Sequence, residues 1–171
     1  MRIDRVVVGP LQTNCYILSM GNDCVVIDPG DEYDKIKRVI NNKNVLGCII
    51  THYHFDHIGA IKYFDNIYDI NNLEEGINNI GPFIFEVIYT KGHKEDCISI
   101  YFKKQNIMFV GDFIFKDSIG RTDLEGGNFN LMLNSIKKIK KYSDNIILYP
   151  GHGKETNLGY EKKNNIYFKQ A

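Results

Sequence analysis

Short runs of β-branched and aromatic residues dominate the first third of the chain. Ile3 to Val8, Cys15 to Met20 and Cys24 to Ile27 each read as a strand. Met20-Gly21-Asn22-Asp23 between the last two reads as a hairpin turn. Asp28-Pro29-Gly30-Asp31 then interrupts the sheet, and Asp31 is placed to cap a helix running to about Asn41 that buries Ile36, Val39 and Ile40. Val45 to Ile50 is an apolar strand. Beyond it the pattern predicts a helix over 58–64, a short strand over 66–70 and a weaker helix over 71–79. Strands follow at 83–89, 98–102 and 107–110. The clearest amphipathic helix spans Phe129 to Lys140, with Leu131, Leu133, Ile136 and Ile139 on or near one face. A last strand over 145–149 precedes a terminal helix from about Tyr160. Strands in a meander, then strands alternating with helices, point to stacked sheets with helices outside.

Composition narrows the class. The chain has 171 residues, 43% of them apolar and 25% charged, with 21 basic and 21 acidic side chains. That size suits one domain, residues 1–171. A zero net charge argues against broad capture of nucleic acid or anionic lipid, and no apolar run reaches 18 residues, so neither partner is expected. MRIDRVVVGP has too short an apolar stretch for an export signal, which makes a cytoplasmic protein the expectation. The four cysteines are scattered among apolar neighbours without a C-x-x-C pair, as buried free thiols would be.

The five histidines carry the chemistry. His52, His54 and His57 lie in Thr51-His52-Tyr53-His54-Phe55-Asp56-His57, directly after the strand over 45–50. Residues two apart in extended chain leave on the same side, so His52, His54 and Asp56 should converge, with His57 following as the chain turns into a helix. In a chain of this composition H-x-H-x-D-H arises by chance roughly three times in ten thousand sequences. Imidazole and carboxylate suit zinc, iron or manganese, whereas a structural zinc site prefers cysteine, and the motif has none. His93 and His152 each follow a glycine near the end of a strand, and Asp112 follows Gly111 in the same way. Five histidines and two aspartates are too many donors for one tetrahedral ion and suit two.

In that order, H-x-H-x-D-H, Gly92-His93, Gly111-Asp112 and Gly151-His152-Gly153 resemble the metallo-β-lactamase superfamily. Pro10 to Tyr16, Ser118 to Gly127, and Thr156, Gly159, Glu161 and Asn165 are similar to the short glyoxalase II-like hydrolases. The resemblance spans residues 6 to 168. It implies an αβ/βα four-layer sandwich of two mixed sheets with outer helices. It assigns His52, His54 and His93 to one metal, Asp56, His57 and His152 to a second, and Asp112 to both. Two divalent ions are implied, zinc first, with iron or manganese as alternatives. The loop around His93 departs from the family's pattern: Lys91 and Lys94 stand in place of a proline and a threonine, making it more charged. The stretch from Ala60 to Tyr89 is short compared with such relatives, and a single helix is expected after His152, so the expectation is an open cleft without the helical domain with which full-length relatives grip glutathione.

The activity this resemblance implies is hydrolysis of a small-molecule thioester or ester by attack of metal-bound hydroxide, with Asp56 both binding the second metal and orienting the nucleophile. The alternatives are a mononuclear iron persulfide dioxygenase of the same fold, using His52, His93 and Asp112, and a lactonase. Asp28 is a candidate partner for a ligand imidazole, with a plain turn residue as the rival. Arg121, one of only four arginines, is a candidate to grip a substrate carboxylate, with a structural role as its rival. The lysine run over 137–141 lies on the amphipathic helix and reads as a solvated face.

Overall fold

The computed structural model describes residues 1–171. The first sheet is formed by β1 (Arg2–Val8), β2 (Thr13–Met20), β3 (Asp23–Ile27), β4 (Asn44–Ile49) and β5 (Ile67–Tyr68), in that spatial order. The first three are antiparallel, and β3, β4 and β5 run parallel. The second sheet uses β6 (Gly76–Ile80), β7 (Phe83–Tyr89), β8 (Ile98–Phe102) and β9 (Ile107–Gly111). A separate small hairpin, β10 (Ile114–Phe115) and β11 (Ser118–Ile119), follows. β12 (Ile147–Pro150) and β13 (Thr156–Asn157) complete the second sheet in the order β13-β12-β9-β8-β7-β6, with β12 parallel to β9 and the other pairs antiparallel.

Side-chain alternation explains the layers. Along β2, Tyr16 and Leu18 face the second sheet and join Phe83, Phe85, Phe102 and Phe109 in the central core. Cys15 and Ile17 point the other way, where α1 (Tyr33–Ile40) covers them with Ile36 and Ile40. On the far side, Ile88, Met108, Val110 and Leu148 pack under α3 (Phe129–Ile139), α4 (Leu158–Asn164) and α5 (Ile166–Gln170). Helix, sheet, sheet, helix: this is the four-layer αβ/βα sandwich. Both faces of each sheet are covered, which is why the central strands read as continuous apolar runs. Each large core side chain contributes about 1.5–3 kcal/mol through burial. All four cysteines are buried free thiols. No helix is long and apolar enough to cross a membrane.

Five local expectations are corrected. The helix over 71–79 is absent: its second half is strand β6, because Gly76 to Ile80 pairs with β7 and that pairing overrides a weak periodicity. The helix over 58–64 breaks up. α2 (Phe55–Ile58) ends early, since the Ala60 amide donates to the Pro29 carbonyl (2.9 Å), and only a short 3₁₀ turn remains at Ile61–Tyr63. Asp31 does not cap α1. Glu32 precedes the helix in a left-handed conformation, and Asp31 Oδ1 accepts from the Glu32 amide (2.6 Å). The terminal helix is two short ones, divided at Asn165, whose side chain caps α5. On α3 the buried residues include Met132, Ile136 and Ile139, while Leu131 is exposed.

Candidate metal centre

The donors converge where loops from the two sheets meet. β4 delivers the motif. Ile98 N–H donates to the Thr51 carbonyl (2.9 Å), tying the start of the motif to the second sheet. His52 and His54 then emerge in extended chain, and His52 Nε2 lies 3.1 Å from His54 Nδ1. Asp56 arrives differently from the strand-register expectation: it sits on the first turn of α2, and His57 follows it there, as expected of a chain turning into a helix.

The second sheet contributes one donor per loop. His93 follows β7, with its Nε2 2.8 Å from His54 Nδ1 and 3.6 Å from Asp112 Oδ2. Gly92 before it adopts φ +146°, and a Cβ there would lie 2.4 Å from the Met132 Cα, so only glycine lets this loop press on α3. Asp112 follows β9 and His152 follows β12. His152 Nε2 lies 3.2 Å from Asp56 Oδ2 and 3.4 Å from Asp112 Oδ2. Gly151 keeps the centre open: a Cβ would come within 2.3 Å of Asp112 Oδ1 and 2.6 Å of His57 Cε1.

All seven expected donors therefore meet at one place. His52, His54 and His93 form one group, Asp56, His57 and His152 another, and Asp112 lies between, itself grouped with His52 and His57; within each group the donor atoms lie within 4.8 Å of one another. His57 Nε2 and Asp112 Oδ1, 3.3 Å apart, are both buried without a hydrogen-bond partner. Leaving such atoms unpartnered costs free energy in a protein alone. Three imidazole nitrogens crowding together do the same. A donor set of this kind fits divalent cations, and the seven donors are enough for two.

Supporting contacts fix three of the imidazoles. Asp28, 2% exposed, accepts from Nδ1–H of His57 (2.9 Å) and also from the Thr51 amide (2.8 Å) and hydroxyl (2.7 Å). That places Asp28 on a donor imidazole and leaves His57 Nε2 facing the centre. His93 Nδ1 donates to the Arg121 carbonyl (2.7 Å), and His152 Nδ1 to the Leu11 carbonyl (3.1 Å). The Arg121 guanidinium instead forms a bidentate pair with Asp123 in solvent, so its backbone, not its charge, reaches the site. The sequence reading assigned no part to Thr13. Its buried hydroxyl donates to Asp56 Oδ2 (2.7 Å), and its backbone bridges His152. The Leu11 carbonyl was equally hidden, since every residue has one.

Electrostatics divide the cluster. Burial, reinforced by neighbouring imidazoles, lowers the pKa of His52 and His54. Burial also opposes charge on His57 and His152, yet carboxylates outweigh it. Asp28 and Asp112 raise His57 to about 10, and Asp112 and Asp56 raise His152 to about 9. Against the opposing effect of burial, the same partners hold Asp56 and Asp112 below the usual carboxylate range.

A sandwich of two mixed sheets with a seven-donor His/Asp centre defines a metal-dependent α/β protein. The profile described as the Metallo-beta-lactamase superfamily matches residues 8–76 and 70–152, and the chain belongs to that family. It is 34% identical to the probable metallo-hydrolase YqgX of Bacillus subtilis, over 98% of this chain and 97% of that one. It is 27% identical to the hydroxyacylglutathione hydrolase GloC of Haemophilus influenzae, over 98% of each. Among solved structures, the BLEG-1 B3 metallo-beta-lactamase superposes with a TM-score of 0.92 at 30% identity, covering 98% of this chain and 99% of that one. TTHA1623 in a di-iron-bound form superposes with a TM-score of 0.86 at 29% identity, covering 95% and 98%.

Proposed function

We propose that the protein is a binuclear metal-dependent hydrolase that cleaves a thioester or ester of a small molecule, in the manner of the hydroxyacylglutathione hydrolases. The observation that carries this reading is the meeting of seven donors around buried, unpartnered His57 Nε2 and Asp112 Oδ1. In this reading His52, His54 and His93 hold one cation, Asp56, His57 and His152 hold another, and Asp112 serves both. Bound there, divalent cations would supply Lewis acidity and lower the pKa of a nearby water toward about 7. Zinc is the proposed occupant, and the di-iron-bound relative makes iron its competitor.

The chain's own groups prepare the centre. Asp28 and the carbonyls of Arg121 and Leu11 accept from Nδ1–H of His57, His93 and His152, which turns each Nε2 toward the centre. Asp56 stays ionised. Thr13 engages its Oδ2, the oxygen that also faces His152, and Oδ1 is left to accept a hydrogen bond from the attacking water and align it. The hydrolase names of two relatives support this reading. Four buried free thiols support work in the reducing cytoplasm.

Elemental analysis, combined with a panel of thioesters, esters, lactones and β-lactams, tests the proposal. Two cations per chain with thioester or ester turnover is the expected result. Oxygen uptake with glutathione persulfide, or turnover confined to β-lactams, would overturn it.

A further inference from the structure

We infer that Asp96 is a positioning residue for His54: its carboxylate holds the main chain between His52 and His54, and so sets where His54 presents Nδ1 to the cation it shares with His52 and His93. The inference rests on the two-cation reading above. His54 is the exception among the five imidazoles. His57, His93 and His152 have the acceptors already described, and His52 Nδ1 meets the Thr51 hydroxyl (3.1 Å). The ring contacts of His54 are instead with other donors: its Nδ1 lies 3.1 Å from His52 Nε2 and 2.8 Å from His93 Nε2. His54 is also only half-buried. With neither an outside partner nor tight packing on the ring, the placement of its nitrogen falls to the main chain.

That main chain is held from both sheets. Tyr53 N–H donates to Asp96 Oδ2 (3.1 Å), in the loop that joins His93 to β8. The Tyr53 hydroxyl donates to Asp69 Oδ2, directly after β5. Asp69 is buried and itself fixed: its Oδ1 accepts from the Asn71 amide (2.7 Å), and its own amide donates to Asn72 Oδ1 (2.9 Å). One residue between two donors is thus pinned to either side of the cleft. Lys94, next to His93, donates to the same Asp96 oxygen (3.0 Å) and balances its charge. Asp96 Oδ1, by contrast, is buried without a partner. A carboxylate here therefore carries a desolvation cost that an apolar side chain would avoid. What the charge contributes is a strong acceptor, since hydrogen bonds to an ionised oxygen are about twice as strong as neutral ones. Through Asp96 the segment carrying His52 and His54 is kept in register with the loop carrying His93.

The test measures zinc affinity by competition of the zinc-loaded protein with a chromophoric chelator. Asp96→Ala should weaken one of the two zinc ions about 10- to 100-fold and leave the other at its wild-type affinity. His54→Ala should retain only the ion of the other group, and adding Asp96→Ala to it should change nothing further. Asp96→Asn keeps an oxygen for the Tyr53 amide and should restore most of the affinity. Tyr53→Phe cuts only the Asp69 arm and should weaken the same ion by less; it carries the comparison if Asp96→Ala folds poorly. Independently of metal, hydrogen exchange at the Tyr53 amide should speed up at least about tenfold in Asp96→Ala and stay slow in Asp96→Asn. Wild-type affinity for both ions in Asp96→Ala, equal weakening of both, a further loss in the His54→Ala background, an Asp96→Asn as weak as Asp96→Ala, or an unchanged exchange rate would each overturn the assignment. A wild-type chain that binds fewer than two zinc ions defeats the two-cation reading instead, and the exchange rate of the Tyr53 amide then decides the role of Asp96 alone.

Discussion

The His52–His54–His93 group and the Asp56–His57–His152 group lie side by side, with the His52 and His57 rings 4.1 Å apart between centroids. Both are buried or half-buried, yet they stand ready for a cation in opposite states. The first group is imidazole upon imidazole, and burial keeps His52 and His54 neutral at physiological pH. The second interleaves imidazoles with carboxylates, so without a cation His57 and His152 carry protons. A cation meeting His52 and His54 finds free lone pairs. One entering the second must displace charge. Donor type alone does not set a site's readiness; the carboxylates placed around each imidazole decide it.

The largest expected effects come from deleting one donor in each group. His54→Ala and Asp56→Ala should each lower turnover more than ~100-fold, beyond the range typical of lost supporting contacts, and remove one cation per chain. Circular dichroism should show the fold retained, because neither side chain belongs to the three cores. Wild-type metal content and turnover in either variant would dissolve the distinction between the groups. Asp28→Asn should weaken the second cation about 10- to 100-fold and leave the first unchanged, as read by competition with a chromophoric chelator.

The protonation difference has its own signature. Between pH 6.5 and 9, affinity for the second cation should rise about tenfold per pH unit for each proton displaced, while that for the first stays flat. Calorimetry in two buffers of different ionisation enthalpy reads the released protons directly. The cation-free fold should respond in the opposite sense. Both pKa values are raised above the 6.5 of free histidine, so the ion pairs stabilise fully below that pH. Their contribution is lost as pH climbs through about 9 and then about 10. Thr13→Val should lower kcat about tenfold, the loss of one hydrogen bond to a charged acceptor, with Thr13→Ser restoring it and metal content unmoved. Arg121→Ala should change neither metal content nor Tm, since alanine keeps the carbonyl that holds His93.

What could be read from the sequence depended on where the information lies. The motif at 52–57 packs four donors into six residues, and His93, Asp112 and His152 each follow a glycine at a strand end, so local pattern was enough. β6 was hidden because Leu73, Ile77 and Ile80 fit a helical period as well as a strand; its pairing with β7 settled it. On α3, a face centred on Leu131 and one centred on Met132 differ by one residue, and only the sheet beneath selects between them. Thr13 lies within the Pro10–Tyr16 segment, but its part depends on β2 passing beside Asp56 and His152, 43 and 139 residues away. The carbonyls of Leu11 and Arg121 were beyond any sequence reading.

Those two carbonyls have an evolutionary consequence. Because main-chain oxygens hold His152 and His93, the side chains at positions 11 and 121 carry no duty toward the donors. Selection can exchange them for other shapes and charges while the imidazoles stay in register. Descendants of such a chain can turn to new substrates by altering the rim, without first passing through a form whose centre has come apart.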